Sequence, residues 1–113
     1  FTRKATRASA GQIFQVPVAL CAPEQAISSL RNVLKNVQVV ATTGRPGAAA
    51  LQDIALCDHN VLIFGNEGTG ITSSLREIAD ITGRIPIAEH VDSLNVAAAS
   101  AVALHIIGNL ASQ

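Results

Sequence analysis

A glycine-rich segment with one carboxylate, residues 65–70, is the part of this chain best suited to contact a ligand. It reads Gly-Asn-Glu-Gly-Thr-Gly and follows an apolar stretch that ends at Phe64. Glycines let the backbone approach a flat ligand closely and adopt dihedral angles that other residues avoid. The carboxylate of Glu67 would then face a substrate or accept hydrogen bonds from nearby amides. The alternative is an ordinary tight turn with a solvated glutamate.

The order of these glycines argues against two common phosphate-binding motifs. A P-loop needs Lys and then Ser or Thr after its last glycine, whereas Ile71 follows Gly70 here. The segment reads G-x-x-G-x-G, which inverts the dinucleotide fingerprint G-x-G-x-x-G. Glu67 would also repel a pyrophosphate. The sequence therefore argues against phosphate binding at this turn.

A second polar motif, Ser-Leu-Asn at residues 93–95, follows an Ile-Pro-Ile segment at residues 85–87. Ser and Asn are preferred at helix N-caps, so the motif could simply begin a helix. Capping alone leaves the co-occurrence of this motif and the glycine-rich segment unexplained.

Short apolar runs alternate with helical patterns along the chain. The runs are continuously apolar or β-branched, which predicts strands covered on both faces, at residues 15–20, 37–42, 61–65 and 84–87. Helices are predicted from Pro23 to about Asn36, from a cap at Thr72 or Ser73 to Ala79, and from Ser93 or Asn95 to about Ala111, the last buried on more than one side. This alternation predicts an α/β fold with a parallel sheet flanked by helices. Ligands of such sheets bind beyond the carboxyl ends of the strands, here residues 41–44, 65–70 and 86–95.

Charge is distributed unevenly although the net charge is zero. Residues 1–52 hold six basic residues and one acidic residue, whereas residues 53–113 hold two basic and seven acidic residues. A polyanionic partner is favoured on the N-terminal part, and chance truncation is the alternative.

The cysteine pattern and the uncharged C-terminal stretch exclude several classes of protein. Cys21 and Cys57 lie far apart with no C-x-x-C, which predicts no zinc or other metal site and favours reduced thiols in a cytoplasmic protein. Residues 93–113 carry no charged side chain, but polar residues interrupt them and Ala dominates, so a buried or subunit-interface helix is predicted rather than a membrane span.

Three segments resemble a known enzyme family. Residues 61–72 resemble the second signature of the SpoU/TrmH branch of SPOUT methyltransferases, and residues 85–97 resemble the third, in the same order and spacing. Residues 7–18, with Arg-Ala-Ser-Ala-Gly, Ile-Phe and Val-Pro-Val, are similar to the segment that precedes these signatures in many members, including thiostrepton-resistance-type rRNA methyltransferases.

The resemblance implies a SPOUT α/β-knot domain over residues 1–113, with a deep trefoil knot at its C-terminal end. It implies S-adenosylmethionine as methyl donor, transfer to a ribose 2'-hydroxyl of structured rRNA or tRNA, and a homodimer formed through the knot region and the last helix. The first signature, which ends in an arginine, and the first strands would lie upstream of Arg7, so the domain is expected to be incomplete at its N-terminus. The alternatives are a catalytically silent donor-binding or RNA-binding relative, a fragment inactive without that arginine, and an α/β interaction module.

The resemblance also implies specific site residues. It assigns the donor contacts, largely on backbone groups, to Ala41, Thr42, Thr43, Gly65, Asn66, Gly68, Ile85, Ile87, Leu94 and Asn95. Glu67, Ser93 and Asn95 match positions attributed to catalysis or to ordering the site. Arg7 is expected to contact RNA or polarise the hydroxyl, or else to be an ordinary exposed arginine.

Overall fold

Four parallel strands form the centre of the fold in the computed structural model, which describes residues 2–66, 68–91 and 93–112. The strands are β1 (Val37–Thr42), β2 (Ala49–Ala50), β3 (His59–Ile63) and β4 (Ile81–Arg84). Their order across the sheet is β2-β4-β1-β3. The helices are α1 (Arg3–Ala8), α2 (Pro23–Val33), α3 (Ser73–Ile78) and α4 (Val96–Ala111), and short 3₁₀ turns lie at Gln12–Gln15 and Leu51–Asp53. The prediction of a parallel sheet flanked by helices is confirmed.

Both faces of β1 are buried, as its continuous apolar run predicts. Val39 and Val40 point to opposite faces and are both fully buried. One face packs beneath α2 and α3, and the other packs beneath α4 and the second 3₁₀ turn. The buried residues of the first face are Ile27, Val39, Ala41, Ile63 and Ile71, and those of the second are Val40, Leu51, Ile54 and Ala103.

The helix boundaries follow from local capping. Pro23 occupies the first turn of α2, where a missing N–H costs nothing, and Glu24 lies at the positive end of the helix. Thr72 caps α3 by accepting a hydrogen bond from the Leu75 N–H, and Asn95 caps α4. The predicted end of α2 near Asn36 is three residues late, because Leu34 already adopts an extended backbone with a φ of −107° and a ψ of 146°.

Two predicted strands are shifted and one is wrong. β4 begins and ends three residues earlier than predicted, since Pro86 has no N–H for a strand ladder. β3 lies two residues earlier than predicted. Residues 15–20 form no strand: Gln15 ends a 3₁₀ turn, and residues 16–20 are exposed with no strand partner in the described part of the chain. Their β-branched residues favour an extended backbone, but a strand also needs a neighbour to pair with.

The segment 43–48 crosses strand β4. Thr42 and Ala49 both pair with Gly83, one from each side, so residues 43–48 lead from one side of β4 to the other. The crossing is fixed at both ends: the Thr43 N–H donates to the Gly83 carbonyl at 2.9 Å, and Arg84 Nε donates to the Ala48 carbonyl at 3.1 Å. We call residues 43–48 the strap. Strand β4 thus passes beneath the strap, which precedes it in the chain, and the expected trefoil knot requires a crossing of this kind.

Helix α4 is less buried than predicted. Ala103 is its one described buried residue, while Leu104 is 62% exposed, and Val96 and Val102 are also exposed. In the described part of the single chain, the second 3₁₀ turn and one sheet face pack against the helix, so burial on more than one side would require a partner, as the subunit-interface alternative expects. Within the described ranges, no helix is both long and apolar enough to cross a bilayer.

Candidate functional site

A cleft of about 830 Å³ lies at the carboxyl ends of β1, β3 and β4. The strap, the glycine-rich segment and the segment from Ile85 to Leu94 supply its walls, together with the first turn of α4. Three loops converge here because parallel strands all end at the same edge of the sheet. Its volume is within the range of about 300–1,000 Å³ typical of small-molecule sites.

The end of β1 forms a fixed wall. The Thr42 hydroxyl donates a 2.8 Å hydrogen bond to the Ile63 carbonyl, which joins β1 to β3 at the cleft edge. Thr43 Oγ1 accepts a hydrogen bond from the Arg45 N–H at 3.2 Å, so the first residues of the strap turn back on themselves. With Ala41 only 2% exposed beside them, this wall presents backbone and small side chains in a set position.

The glycine-rich segment forms a closed turn. Asn66 and Gly70 exchange two backbone hydrogen bonds of 3.1 and 2.8 Å, and Asn66 Oδ1 accepts a third from the Gly68 N–H at 2.8 Å. A Cβ atom on Gly65 would collide with the Gly70 carbonyl carbon, so the turn closes only with glycine there. Gly70 has a φ of +70°, which glycine adopts without strain. Glu67, the predicted catalytic carboxylate, lies outside the described residues.

The third wall leads into helix α4. Ile85, Ile87 and Leu94 add apolar surface, and Ser93 lines the cleft with an exposed side chain. Asn95 caps α4, its Oδ1 accepting a 2.9 Å hydrogen bond from the Ala97 N–H. Asn95 therefore acts as a helix cap, as the capping alternative predicts. This cap sets the start of α4 directly after the cleft-lining residues 93 and 94.

The predicted donor contacts are largely brought together. Nine of the ten predicted residues line the cleft: Ala41, Thr42, Thr43, Gly65, Asn66, Gly68, Ile85, Ile87 and Leu94. The tenth, Asn95, is not part of its described lining. Ser93 joins them. Arg7 does not, because it lies on α1 with Arg3 and Lys4 beside a separate shallow depression.

Two arginines that the sequence did not single out also line the cleft. Arg45 belongs to the strap and Arg76 to α3, and both are exposed. A Cβ on Gly70 would lie 3.9 Å from a terminal guanidinium nitrogen of Arg76, so that side chain lies against the glycine turn. The position of Arg45, three residues after a strand end, could have been noticed. No spacing pattern points to Arg76.

The electrostatics of the cleft are one-sided over the part of the chain that the structure describes. Its described lining includes Arg45 and Arg76 but no Asp or Glu. Among the described residues, no cluster of His, Cys, Asp and Glu could hold a metal ion. The apolar lining suits a flat organic ligand, and the two cations suit an anion beside it.

Known proteins share this sequence and architecture. The profile of the SpoU rRNA Methylase family matches residues 1–105. The chain is 32% identical over 103 residues to a 23S rRNA (adenosine(1067)-2'-O)-methyltransferase of Streptomyces azureus, covering 91% of this chain and 38% of that protein. The chain thus spans about two fifths of the length of that relative.

Two solved structures have the same fold. An AdoMet-bound rRNA methyltransferase from Sinorhizobium meliloti matches with a TM-score of 0.80 and 34% identity, over 94% of this chain and 40% of that one. The SpoU methyltransferase AviRb from Streptomyces viridochromogenes, in complex with the cofactor AdoMet, matches with a TM-score of 0.79 and 27% identity, over 98% of this chain and 46% of that one. With its three-loop cleft at the carboxyl edge of a parallel sheet, the chain belongs to the SpoU rRNA methylase family.

Proposed function

We propose that the protein containing this chain methylates a ribose 2'-hydroxyl of RNA, with S-adenosylmethionine as methyl donor and the three-loop cleft as the donor site. The observation that carries this proposal is the convergence of both signature-like segments, residues 61–72 and 85–97, with the end of β1 on one cleft. The two AdoMet-bound relatives of the same fold support the choice of donor.

The cleft residues fit the donor by size and chemistry. Ala41, Ile85 and Leu94 offer apolar surface for an adenine ring, and Gly65, Gly68 and Gly70 let the backbone approach the ligand closely. Such pockets typically combine apolar walls with a few placed polar groups. When bound, the donor supplies an electrophilic methyl group on a positively charged sulfur.

The chain's own residues would contribute mainly by positioning. A ribose hydroxyl is a weak nucleophile, so it must be held in line with the methyl group while water is excluded. Asn95 fixes the start of α4 through its hydrogen bond to the Ala97 N–H and thereby holds Ser93 and Leu94 at the cleft. We assign Asn95 and Glu67 to ordering the site rather than to removing the proton, with Ser93 beside them.

RNA is the proposed substrate. The relative from Streptomyces azureus is named as a 23S rRNA methyltransferase, which favours rRNA, and tRNA is the second candidate. Arg3, Lys4 and Arg7 form a basic surface on α1 that suits the RNA backbone. Because Arg7 lies outside the cleft, we assign it to RNA contact rather than to polarising the hydroxyl.

A homodimer is proposed through α4 and the neighbouring knot region. Val102 and Leu104 are exposed on either side of the buried Ala103, on a helix with no charged residue. Burying these side chains against a second copy would remove them from water, and exposed apolar side chains can mark an interface. We further propose that residues 1–113 belong to a single catalytic domain, that catalysis needs no metal, and that the protein is cytoplasmic.

Calorimetry with S-adenosylmethionine, followed by methyl incorporation into 23S rRNA, tests the proposed function. Gly65→Ala should abolish donor binding, since the new Cβ would collide with the backbone of Gly70 and Ile71. Gly108→Ala is the matched control, because nothing lies within 4 Å of its Cβ position. Binding without methyl transfer would favour a catalytically silent relative, and absence of saturable binding in the intact protein would refute the donor site.

A further inference from the structure

We propose that Arg45 and Arg76 hold the phosphate backbone of the RNA strand that enters the cleft. The inference rests on the proposed function and assigns a role to two residues that the family resemblance leaves without one. Its basis is the placement of two cations from separate elements, the strap and α3, on the lining of one cleft.

Both guanidinium groups are available for a ligand within the described structure. The ion pair described there joins Arg31 to Asp80, far from the cleft, and Arg84 is engaged by the Ala48 carbonyl. For Arg45 the described hydrogen bond uses its backbone N–H, and for Arg76 likewise the backbone N–H donates to Thr72. Side chains of this type pair readily with phosphate oxygens.

The charge of the methyl donor argues that these arginines serve the other substrate. S-adenosylmethionine carries a sulfonium, an ammonium and a carboxylate group, so its net charge is about +1 at neutral pH. Its carboxylate can pair with an arginine, but its two positive groups repel the same cation, so the donor as a whole gains less from Arg45 and Arg76 than a polyanion does. An RNA strand carries one negative charge per nucleotide, so the same two cations favour its entry.

Exposure points the same way. Ala41 is almost fully buried and Thr42, Ile85 and Leu94 are partly buried, whereas Arg45 and Arg76 are exposed. The apolar surface thus forms the deeper part of the cleft and the cations lie at its rim. A macromolecule reaches the rim, whereas a small ligand occupies the deeper part.

The test is RNA binding by the intact protein, measured by fluorescence anisotropy with a labelled, unmodified 23S rRNA transcript across a salt series. Arg45→Ala and Arg76→Ala should each weaken binding roughly fivefold and lower the slope of log affinity against log salt by about 0.7. Arg45→Lys should retain most of the slope, because a lysine still neutralises a phosphate. The affinity for S-adenosylmethionine should change less than twofold in every variant.

Lys35→Ala is the matched control, since Lys35 is an exposed cation that does not line the cleft. An equal loss of RNA affinity in Lys35→Ala would overturn the inference, as would lost donor affinity with unchanged RNA binding in the arginine variants. A wild-type protein that does not bind the transcript also overturns it. Methyl incorporation tests the proposed function separately. If the arginine variants bind RNA with wild-type affinity and still transfer methyl groups, the role of the two arginines is refuted while the proposed function is supported.

Discussion

The hydroxyl of Thr42 donates a 2.8 Å hydrogen bond to the carbonyl oxygen of Ile63, and this contact joins the ends of β1 and β3 at the cleft. It uses a side chain where the sheet ladder no longer continues, since the last paired residues of the two strands are Ala41 and Ile63. The hydroxyl therefore continues the connection between β1 and β3 by one residue at the cleft edge.

Replacing Thr42 with Val should loosen this edge. The substitution keeps the shape but removes the donor, which leaves the part-buried Ile63 carbonyl without its partner and costs about 1–2 kcal/mol of unfolding free energy. Donor affinity should fall in parallel because the two walls separate. Thr42→Ser restores the donor and should recover most of both quantities in urea denaturation and calorimetry. Equal behaviour of the Val and Ser variants would contradict the role of the hydroxyl.

Adding a methyl group at Gly83 should destabilise the protein. A Cβ there would lie 2.6 Å from Leu51 Cδ2 and 2.8 Å from Ile54 Cδ1, in the region where β4 packs beneath the second 3₁₀ turn. Overpacking of this kind costs about 1–3 kcal/mol. Gly83→Ala should thus lower the urea midpoint, whereas Gly108→Ala should not. An unchanged midpoint in Gly83→Ala would show that the leucine and isoleucine side chains move aside at no cost.

The acidic partner of the Arg31–Asp80 pair should matter more than the basic one. Their ion pair is 2.8 Å long, but both side chains are more than a third exposed, so solvent screening limits its contribution to below about 1 kcal/mol. Asp80 Oδ2 also accepts a 2.7 Å hydrogen bond from the Val39 N–H, which ties the start of β4 to β1. Asp80→Ala should therefore cost about 1–3 kcal/mol, and Arg31→Ala clearly less. Equal losses in chemical denaturation would assign the whole effect to the ion pair.

A charge on α4 should disrupt the proposed dimer. Leu104 is 62% exposed on α4, so Leu104→Glu would place a carboxylate in the proposed interface and shift the protein to monomer in light scattering. Val33→Glu serves as control, because Val33 is 81% exposed on α2 at a different surface. A dimer that persists in Leu104→Glu but dissociates in Val33→Glu would move the interface away from α4.

Strand β1 was predictable because its signal is local. A continuous apolar run reports burial on both faces, and Val39 and Val40 are both fully buried. Residues 15–20 carry a similar apolar signal but form no strand, since pairing depends on a neighbour that the local sequence does not encode. The end of β4 was misplaced for a related reason: Ile85-Pro86-Ile87 looks strand-like, yet Ile85 and Ile87 serve as cleft wall.

Backbone requirements of the site were readable in the sequence, and its cations were not. Gly65 and Gly70 stand out because a close approach and a positive φ demand glycine, which leaves a pattern in the chain. Arg45 and Arg76 reach the cleft only because the strap and α3 converge in three dimensions. Conversely, Arg7 belongs to a segment that resembles the family, which suggested a role in the site, but it lies on α1, outside the cleft.

The strap has a consequence for the order in which the protein folds. β2 consists of two residues, and the pairing described for it is with β4, which is made some thirty residues later in the chain. Before β4 arrives, the strap has nothing to close over, and contacts between such distant segments form slowly. We therefore expect closure over β4 to follow the pairing of β1 with β3, and the cleft that the strap borders to be complete only then. Ligand binding should accordingly appear last in a refolding time course, after the helices and the β1–β3 pair have formed.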